Sequence, residues 1–100
     1  MPAHDQRRRF IQSLAERPGP RLYLKAQDPE DGRRYLWEAV EDGGRLVAVK
    51  QLEIDVQGVR WRYDWKHLED ENGFLTDQPL NMDTNILETT RSEFFNEWES

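Results

Sequence analysis

The chain of 100 residues contains no cysteine, which excludes disulfide bonds, thiol catalysis and cysteine-ligated zinc. Its only two histidines, His4 and His67, lie far apart and do not form a metal-ligand pattern. A nucleophilic triad would have to pair His67 with an isolated serine, and no serine lies in a recognisable nucleophile motif. No glycine-rich phosphate loop is present. Catalysis is therefore the least favoured class of function.

Long apolar segments are also missing. No apolar run approaches the roughly 18 residues of a transmembrane helix, and residues 1–17 lack the apolar core of a signal peptide. Together with the absence of cysteine, this favours a cytoplasmic protein. Hydrophobic residues make up 36% of the chain, below the globular average of about 45–50%. Because aromatic residues still reach 11%, the composition predicts one folded domain, residues 1–100, with a small core and a sheet solvated on one face.

Basic residues become scarce toward the C-terminus. Residues 1–25 carry six basic and two acidic side chains, whereas residues 67–100 carry one basic and nine acidic side chains. An acidic segment of this kind repels nucleic acid and anionic membranes, so neither is expected as a partner. It attracts proteins with a basic surface, or it only keeps the protein soluble, and the composition leaves both interpretations open.

The most regular pattern in the chain is Val59-Arg60-Trp61-Arg62-Tyr63-Asp64-Trp65-Lys66. Its strict alternation predicts a strand with an aromatic buried face and a charged solvated face. Arginines and aromatic residues that alternate along a strand point to opposite faces. They therefore do not form a stacking site for single-stranded nucleic acid.

A helix is predicted at residues 3–16, where apolar residues recur at helical spacing until Pro18-Gly19-Pro20 ends the pattern. Arg7, Arg8 and Arg9 lie mostly off the apolar stripe and form a secondary basic patch. Such a run of arginines is more often a solvated helix face than a binding site.

A second, short helix is predicted at residues 90–99. Thr90 and Glu93 fit a capping box, and Phe94, Phe95 and Trp98 follow at helical spacing. We expect this apolar stripe to cover the aromatic face of the sheet and to bury Trp98.

Turn signals divide the segment between the helices, residues 21–76, into strands. The predicted fold class is α+β, an antiparallel sheet of four to five strands with an N-terminal helix and a short C-terminal helix. The alternation changes parity at Lys50-Gln51, which predicts a β-bulge. Asn72-Gly73 predicts a hairpin turn, with Phe74 to Thr76 as a short returning strand. Residues 77–88 are predicted to form an irregular connector.

Glu53 and Asp55 lie two residues apart on the third predicted strand. This spacing suits a general acid/base pair, but it arises easily by chance in a chain with 20 acidic residues. The favoured interpretation is a solvated strand face that opposes Arg60 and Arg62 across a hairpin.

Four short segments carry a family resemblance. They are Tyr35-Leu36-Trp37-Glu38, Lys50-Gln51-Leu52-Glu53-Ile54, Leu75-Thr76-Asp77-Gln78-Pro79-Leu80 and Glu93-Phe94-Phe95-Asn96-Glu97-Trp98. Through them, residues 21–98 resemble a small bacterial domain family of unknown function, some members of which look like immunity proteins near toxin genes. The resemblance implies a small cytoplasmic binding protein and no catalytic residues. The helix of residues 3–16 and the tryptophan-rich strand of residues 59–65 lie outside it.

The favoured function is a non-catalytic protein-binding module, with an immunity-type inhibitor of a bacterial toxin as one form of it. The alternative is an accessory or structural subunit of a larger bacterial assembly that binds through the helix of residues 3–16. A small enzyme is the least favoured function. No cofactor and no metal are predicted, and the sequence leaves the partner and the oligomeric state open.

The predicted binding surface lies within residues 67–86, which combine a loop tip with acidic and apolar side chains. The predicted contact residues are Glu69, Asp70, Glu71, Phe74, Asp77, Leu80, Met82 and Asp83. The alternative is that the apolar residues of this segment only seal a sheet edge, while the acidic residues keep that edge from aggregating.

Overall fold

A computed structural model describes residues 3–82 and 85–100. Within them, two helices and five strands follow one another as α1 (Ala3–Glu16), β1 (Leu22–Gln27), β2 (Arg34–Asp42), β3 (Arg45–Ile54), β4 (Arg60–Tyr63), β5 (Ile86–Thr89) and α2 (Arg91–Trp98). The strands form one antiparallel sheet in the order β4-β3-β2-β1-β5. The predicted α+β fold is confirmed, including the helix at each end.

The strand β5 is an addition to the predicted connector of residues 77–88. It pairs with β1, so that Leu24 lies opposite Glu88, and it closes the edge that β1 would otherwise leave open. Four residues give too little alternation for a strand to be predicted from sequence. The predicted strand from Phe74 to Thr76 is wrong, because Phe74 forms only an isolated bridge with Glu69.

The predicted parity of the aromatic strand is confirmed within β4, but β4 is shorter than the predicted strand of residues 59–66, and Val59, predicted on the buried face, is 46% exposed. Tyr63 lies opposite Gln51, and Arg62 lies opposite Leu52, so the aromatic and basic side chains of β4 point to opposite faces of the sheet. Tyr63 is fully buried on the aromatic face, and Trp61 packs against the same core.

The bulge predicted at Lys50-Gln51 is present one residue earlier. Ala39 pairs with Ala48 and Glu38 pairs with Lys50, which leaves Val49 as the extra residue of β3. Ala48 and Val49 are both fully buried in one core, as expected when a bulge turns two consecutive side chains to the same side. Beyond the bulge, β3 alternates in the opposite parity.

The first core fills the aromatic face of the sheet beneath α1 and the loop that follows β4. Ile11 and Leu14 of α1 are both 1% exposed. The helix ends just before Arg17, whose amide donates a hydrogen bond to the Leu14 carbonyl. The buried members of this core are Ile11, Leu14, Leu24, Trp37, Ala39, Val40, Ala48, Val49, Tyr63, Leu68, Leu75 and Leu80. The narrow stripe of α1 is therefore sufficient to dock it firmly on the sheet.

The second core lies on the opposite face, beneath α2. Phe94 is fully buried there, whereas Phe95 and Trp98 are only partly buried at its margin, so the expectation that Trp98 is buried is wrong. The sheet contributes Tyr23, Leu36, Leu52 and Ile54. The expectation that α2 covers the aromatic face is therefore wrong, as is the expectation of a sheet solvated on one face. The physical reason is the parity of β3 beyond the bulge, which gives the sheet a second apolar face that also needs a cover.

Cations of the sheet hold α2 in place. Glu97 accepts hydrogen bonds from Arg34 and from Arg60, both at 2.8 Å, and Lys25 pairs with Glu93 at 3.0 Å. Arg62 donates to the main-chain oxygen of Trp98 at 2.6 Å. The arginines of β4 are thus partners of α2 instead of a free solvated face. The helix begins as predicted, with the Thr90 hydroxyl accepting from the Glu93 amide at 3.1 Å.

Candidate functional site

The segment that follows β4 crosses the aromatic face as an ordered loop. It starts with a tight turn, in which the Asp64 amide and the His67 carbonyl are 3.1 Å apart. It then forms a short hairpin, residues 68–75, which we call the tip hairpin. Only two backbone hydrogen bonds close this hairpin, one between Leu68 and Leu75 and one between Asp70 and Gly73. Because two bonds are too few to hold an isolated hairpin, side chains must stabilise it.

Asp70 organises the turn of the tip hairpin. Its carboxylate accepts hydrogen bonds from the Tyr63 hydroxyl at 2.8 Å, from the Asn72 amide at 2.9 Å and from His67 Nε2 at 3.1 Å. The Gly73 amide donates to it as well, at 3.1 Å. Local burial opposes the charge of Asp70, but these hydrogen bonds outweigh it and lower the pKa of the carboxyl to about 2. Asp70 is therefore a structural residue of the loop.

Tyr63 connects the turn to the sheet. Burial is the main cause that raises the pKa of its hydroxyl to about 12, and the hydrogen bond to Asp70 acts in the same direction. The Asn72 side chain donates to the same hydroxyl at 2.9 Å, and the His67 ring stacks on the Tyr63 ring with centroids 5.8 Å apart. The hydroxyl of the aromatic strand is thus fully engaged by the loop.

Gln51 bonds to the loop through both ends of its amide. Its oxygen accepts from Trp37 Nε1 and from the Thr76 amide, each at 3.0 Å, and its nitrogen donates to the Phe74 carbonyl at 3.0 Å. The same nitrogen donates to Glu53 at 2.9 Å. Every donor and acceptor of this buried amide is satisfied, so the loop is held in one conformation.

Glu53 is the second buried polar residue under the loop. Its carboxylate pairs with Arg33 at 2.9 Å and accepts from the Asn72 side chain at 3.1 Å, while the Arg33 guanidinium stacks over the Trp61 ring at 4.9 Å. The expectation that Glu53 lies on a solvated face opposite Arg60 and Arg62 is wrong, because Glu53 is buried opposite Trp61.

The outward side of the tip hairpin presents Phe74 to solvent. Phe74 is 56% exposed and lies opposite Glu69 in the hairpin bridge, whereas its neighbours Leu68 and Leu75 point into the core. Arg7 of α1 donates to the Leu75 carbonyl at 2.6 Å and joins α1 to this loop. A helix that sequence analysis treats as a separate candidate surface therefore adjoins the predicted loop surface.

Two clefts flank this junction and share Arg7 and Asp77. The first, which we call the Phe74 cleft, has a volume of about 360 Å³ and is lined by Arg7, Leu68, Glu69, Phe74, Leu75 and Asp77. The second has a volume of about 190 Å³ and lies beside Phe10, which is 46% exposed. The two clefts adjoin at these shared residues, and the second also extends to β2 and β3 through Asp42, Arg45 and Val47.

The predicted contact residues divide into two groups. Glu69, Glu71, Phe74, Asp77 and Met82 are exposed, as the prediction requires. Asp70 is also exposed, but its carboxylate is bonded to the turn. Leu80 is buried in the first core, with its amide bonded to the Leu46 carbonyl at 2.9 Å. Asp83 lies outside the described residues.

The predicted basic patch is also divided. Arg8 and Arg9 are exposed on α1, while Arg7 is bonded to the loop. The sequence pattern does not indicate Phe10 as a surface residue, because its spacing places it within the apolar stripe of the helix. The roles of Gln51 and Glu53 are not indicated by the sequence pattern either. The one signal for them is that both lie opposite aromatic residues of β4, Tyr63 and Trp61.

The described part of the chain offers no group of three or more His, Cys, Asp or Glu side chains that could hold a metal ion. No helix of residues 3–82 and 85–100 is long and apolar enough to cross a membrane. Comparison with protein-family models, with curated proteins and with solved structures gives no match.

Proposed function

We propose that the protein is a non-catalytic protein-binding module that works through the outward side of the tip hairpin and the adjoining part of α1. The observation that carries this is the rigid presentation of an exposed aromatic residue. Gln51 and Glu53 hold the tip hairpin from the sheet, Asp70 holds its turn from within, and Phe74 remains 56% exposed.

Rigid presentation supports binding for a thermodynamic reason. A loop that is already ordered loses little conformational entropy when a partner docks, so more of the contact energy appears as affinity. Exposed aromatic residues with a polar surrounding are typical of the contacts that dominate interface energies. Here the surrounding is acidic, because Glu69, Glu71 and Asp77 flank Phe74 in sequence and are exposed.

Within this class we propose an immunity-type inhibitor that covers a basic surface of a toxin, as a nuclease active site would offer. The net charge of −8 in residues 67–100 supports it, since complementary charge accelerates association and favours a basic partner. A toxin gene beside the gene for this protein would support the proposal further, and a toxin that is not inhibited by the purified protein would contradict it.

Site-specific photocrosslinking in the cells that make the protein tests the binding surface. A benzoylphenylalanine placed at position 74 is expected to capture one defined partner, while the same group at position 87 captures none. Leu87 is a matched control, because it is also 56% exposed but lies on β5 at the far edge of the sheet.

The charge contribution is tested in the crosslinking protein itself. The combined change Glu69→Lys, Glu71→Lys and Asp77→Lys is expected to abolish the crosslink while the protein stays folded, because surface substitutions usually cost within ~0.5 kcal/mol each. Asp70 is left unchanged, because reversing its charge would break the turn. Equal crosslinking from positions 74 and 87, or a crosslink that the charge reversal does not reduce, would contradict the proposed surface.

A second candidate is an accessory subunit of a larger assembly that binds through α1. The exposure of Phe10 favours it, since a phenylalanine that is 46% exposed on a helix beside a cleft suits a protein contact. A crosslink from position 10 to a multisubunit complex, with none from position 74, would select this function over the first.

A further inference from the structure

The Phe74 cleft combines apolar walls with acidic groups. Leu68, Leu75 and Phe74 supply the apolar surface, and Glu69 and Asp77 supply carboxylates. A cleft of this composition fits a side chain with an apolar stem and a cationic end, since such side chains lay their stems on apolar surface and keep the charge at a polar rim.

The arrangement of Phe74 and Glu69 favours a cation that can use both residues. The two residues lie opposite each other in the bridge of the tip hairpin, so their side chains emerge on the same outward side. Directly opposed residues of an antiparallel pair have Cβ atoms about 5 Å apart. A planar guanidinium can stack on an aromatic ring and donate to a carboxylate at such a distance, whereas an ammonium offers no plane to stack.

Arg7 is the one basic residue among the described residues that line the cleft. Its guanidinium donates to the Leu75 carbonyl at 2.6 Å and to the Thr76 carbonyl at 3.3 Å, so it faces the backbone of the loop. Among the described residues, the Asp77 carboxylate accepts a hydrogen bond only from the Gln78 side chain, and that contact is long at 3.4 Å. Among the described residues that line the cleft there are two carboxylates, Glu69 and Asp77, and one arginine.

We propose that the Phe74 cleft binds an arginine side chain on a basic segment of a partner protein, with the guanidinium stacked on Phe74 and facing Glu69 and Asp77. This inference rests on the proposed function, because it names the chemistry of the partner at the same surface. The charge complementarity is local to the cleft and is reinforced by the acidic balance of residues 67–100.

Titration with short peptides tests the inference without knowledge of the partner. The probe is a Gly-Arg repeat peptide with three arginines, and the matched probes replace arginine by citrulline, which keeps the shape without the charge, or by lysine. Amide chemical shifts of the isotope-labelled full chain are expected to change around Glu69, Phe74 and Asp77. The citrulline peptide should bind at least about tenfold more weakly, and the lysine peptide should fall between the two.

Variants separate stacking from charge. Phe74→Leu, which keeps an apolar side chain but removes the ring, should weaken arginine-peptide binding about two- to fivefold, and Leu87→Ala should not change it. Asp77→Asn should weaken binding, and Glu88→Gln, an exposed acid on β5, should not. An unchanged circular dichroism spectrum and melting temperature would show that each variant is folded.

Three outcomes would overturn the inference: equal binding of the citrulline peptide, shift changes spread over all acidic surfaces, or full arginine affinity in Phe74→Leu. Its failure is distinguishable from failure of the proposed function. If position 74 crosslinks to a partner but the arginine peptide causes no shift changes, only the inferred arginine binding is refuted. If the arginine peptide binds in the cleft but no partner is crosslinked, the proposed cellular function is refuted and the inferred arginine binding is supported.

Discussion

Truncating Glu53 should release the tip hairpin from the sheet. In Glu53→Ala, Arg33, Asn72 and Gln51 each lose a hydrogen bond to a carboxylate that is 8% exposed. A hydrogen bond to a charged group contributes about 1.5–3 kcal/mol, but each of these donors keeps another acceptor, so the sum is smaller than three full bonds. We expect a loss of about 3 kcal/mol, at the low end of the range for breaking a buried ion pair.

The loss can be measured by urea unfolding, followed by the fluorescence of the four tryptophans. Glu88→Ala, on the exposed side of β5, is the control and should cost within ~0.5 kcal/mol. Hydrogen exchange should show that the amides of Gly73 and Leu75 lose protection before those of β1 and β2 do. A cost of Glu53→Ala below about 1 kcal/mol would refute the view that buried polar groups hold this loop.

Three further predictions concern α2, acid stability and salt. Phe94→Ala should lower the free energy of unfolding by about 3–5 kcal/mol in the same urea assay, because Phe94 is fully buried. Trp98→Ala should lower it by only about 1–2 kcal/mol, because Trp98 lies at the margin of the second core. A larger cost for Trp98→Ala than for Phe94→Ala would be inconsistent with this packing. The lowered pKa of Asp70 stabilises the folded state above about pH 4, and this contribution is lost as the pH falls toward about 2, so Asp70→Asn should flatten the pH dependence of unfolding in that window; an unchanged slope would count against the role of Asp70. Association with a partner captured from position 74 should slow about tenfold or more between 0.1 M and 1 M salt, as the Debye length falls from ~10 Å to ~3 Å, and a flat rate in stopped-flow measurements would rule out acidic steering.

The sequence predicted the elements with strong local signals. Pro18 fixed the end of α1, the capping box at Thr90 fixed the start of α2, and strict alternation fixed β4 and its two faces. The parity change in β3 placed the bulge within one residue, since a bulge must shift the pattern on which the prediction depends.

Other elements depended on contacts between segments that are distant in sequence. β5 is a strand because β1 has an open edge beside it, and its four residues carry no comparable pattern of their own. The side of the sheet that α2 covers was decided by where apolar residues remained after α1 and the loop had filled the first face. No local sequence pattern predicts which of the two helices packs on which face of the sheet.

The candidate surface shows the same division. The amino-acid composition already shows that residues 67–86 combine several acidic residues with scattered apolar ones. Which of these side chains a partner can contact depends on the fold: the Asp70 carboxylate is bonded to Tyr63, Leu80 is buried in the core, and Phe74 is exposed. The physical reason is that the identity of a polar residue does not reveal whether its side chain faces solvent or bonds to a buried partner. Its role is therefore set by the hydrogen bonds that the folded chain brings within reach.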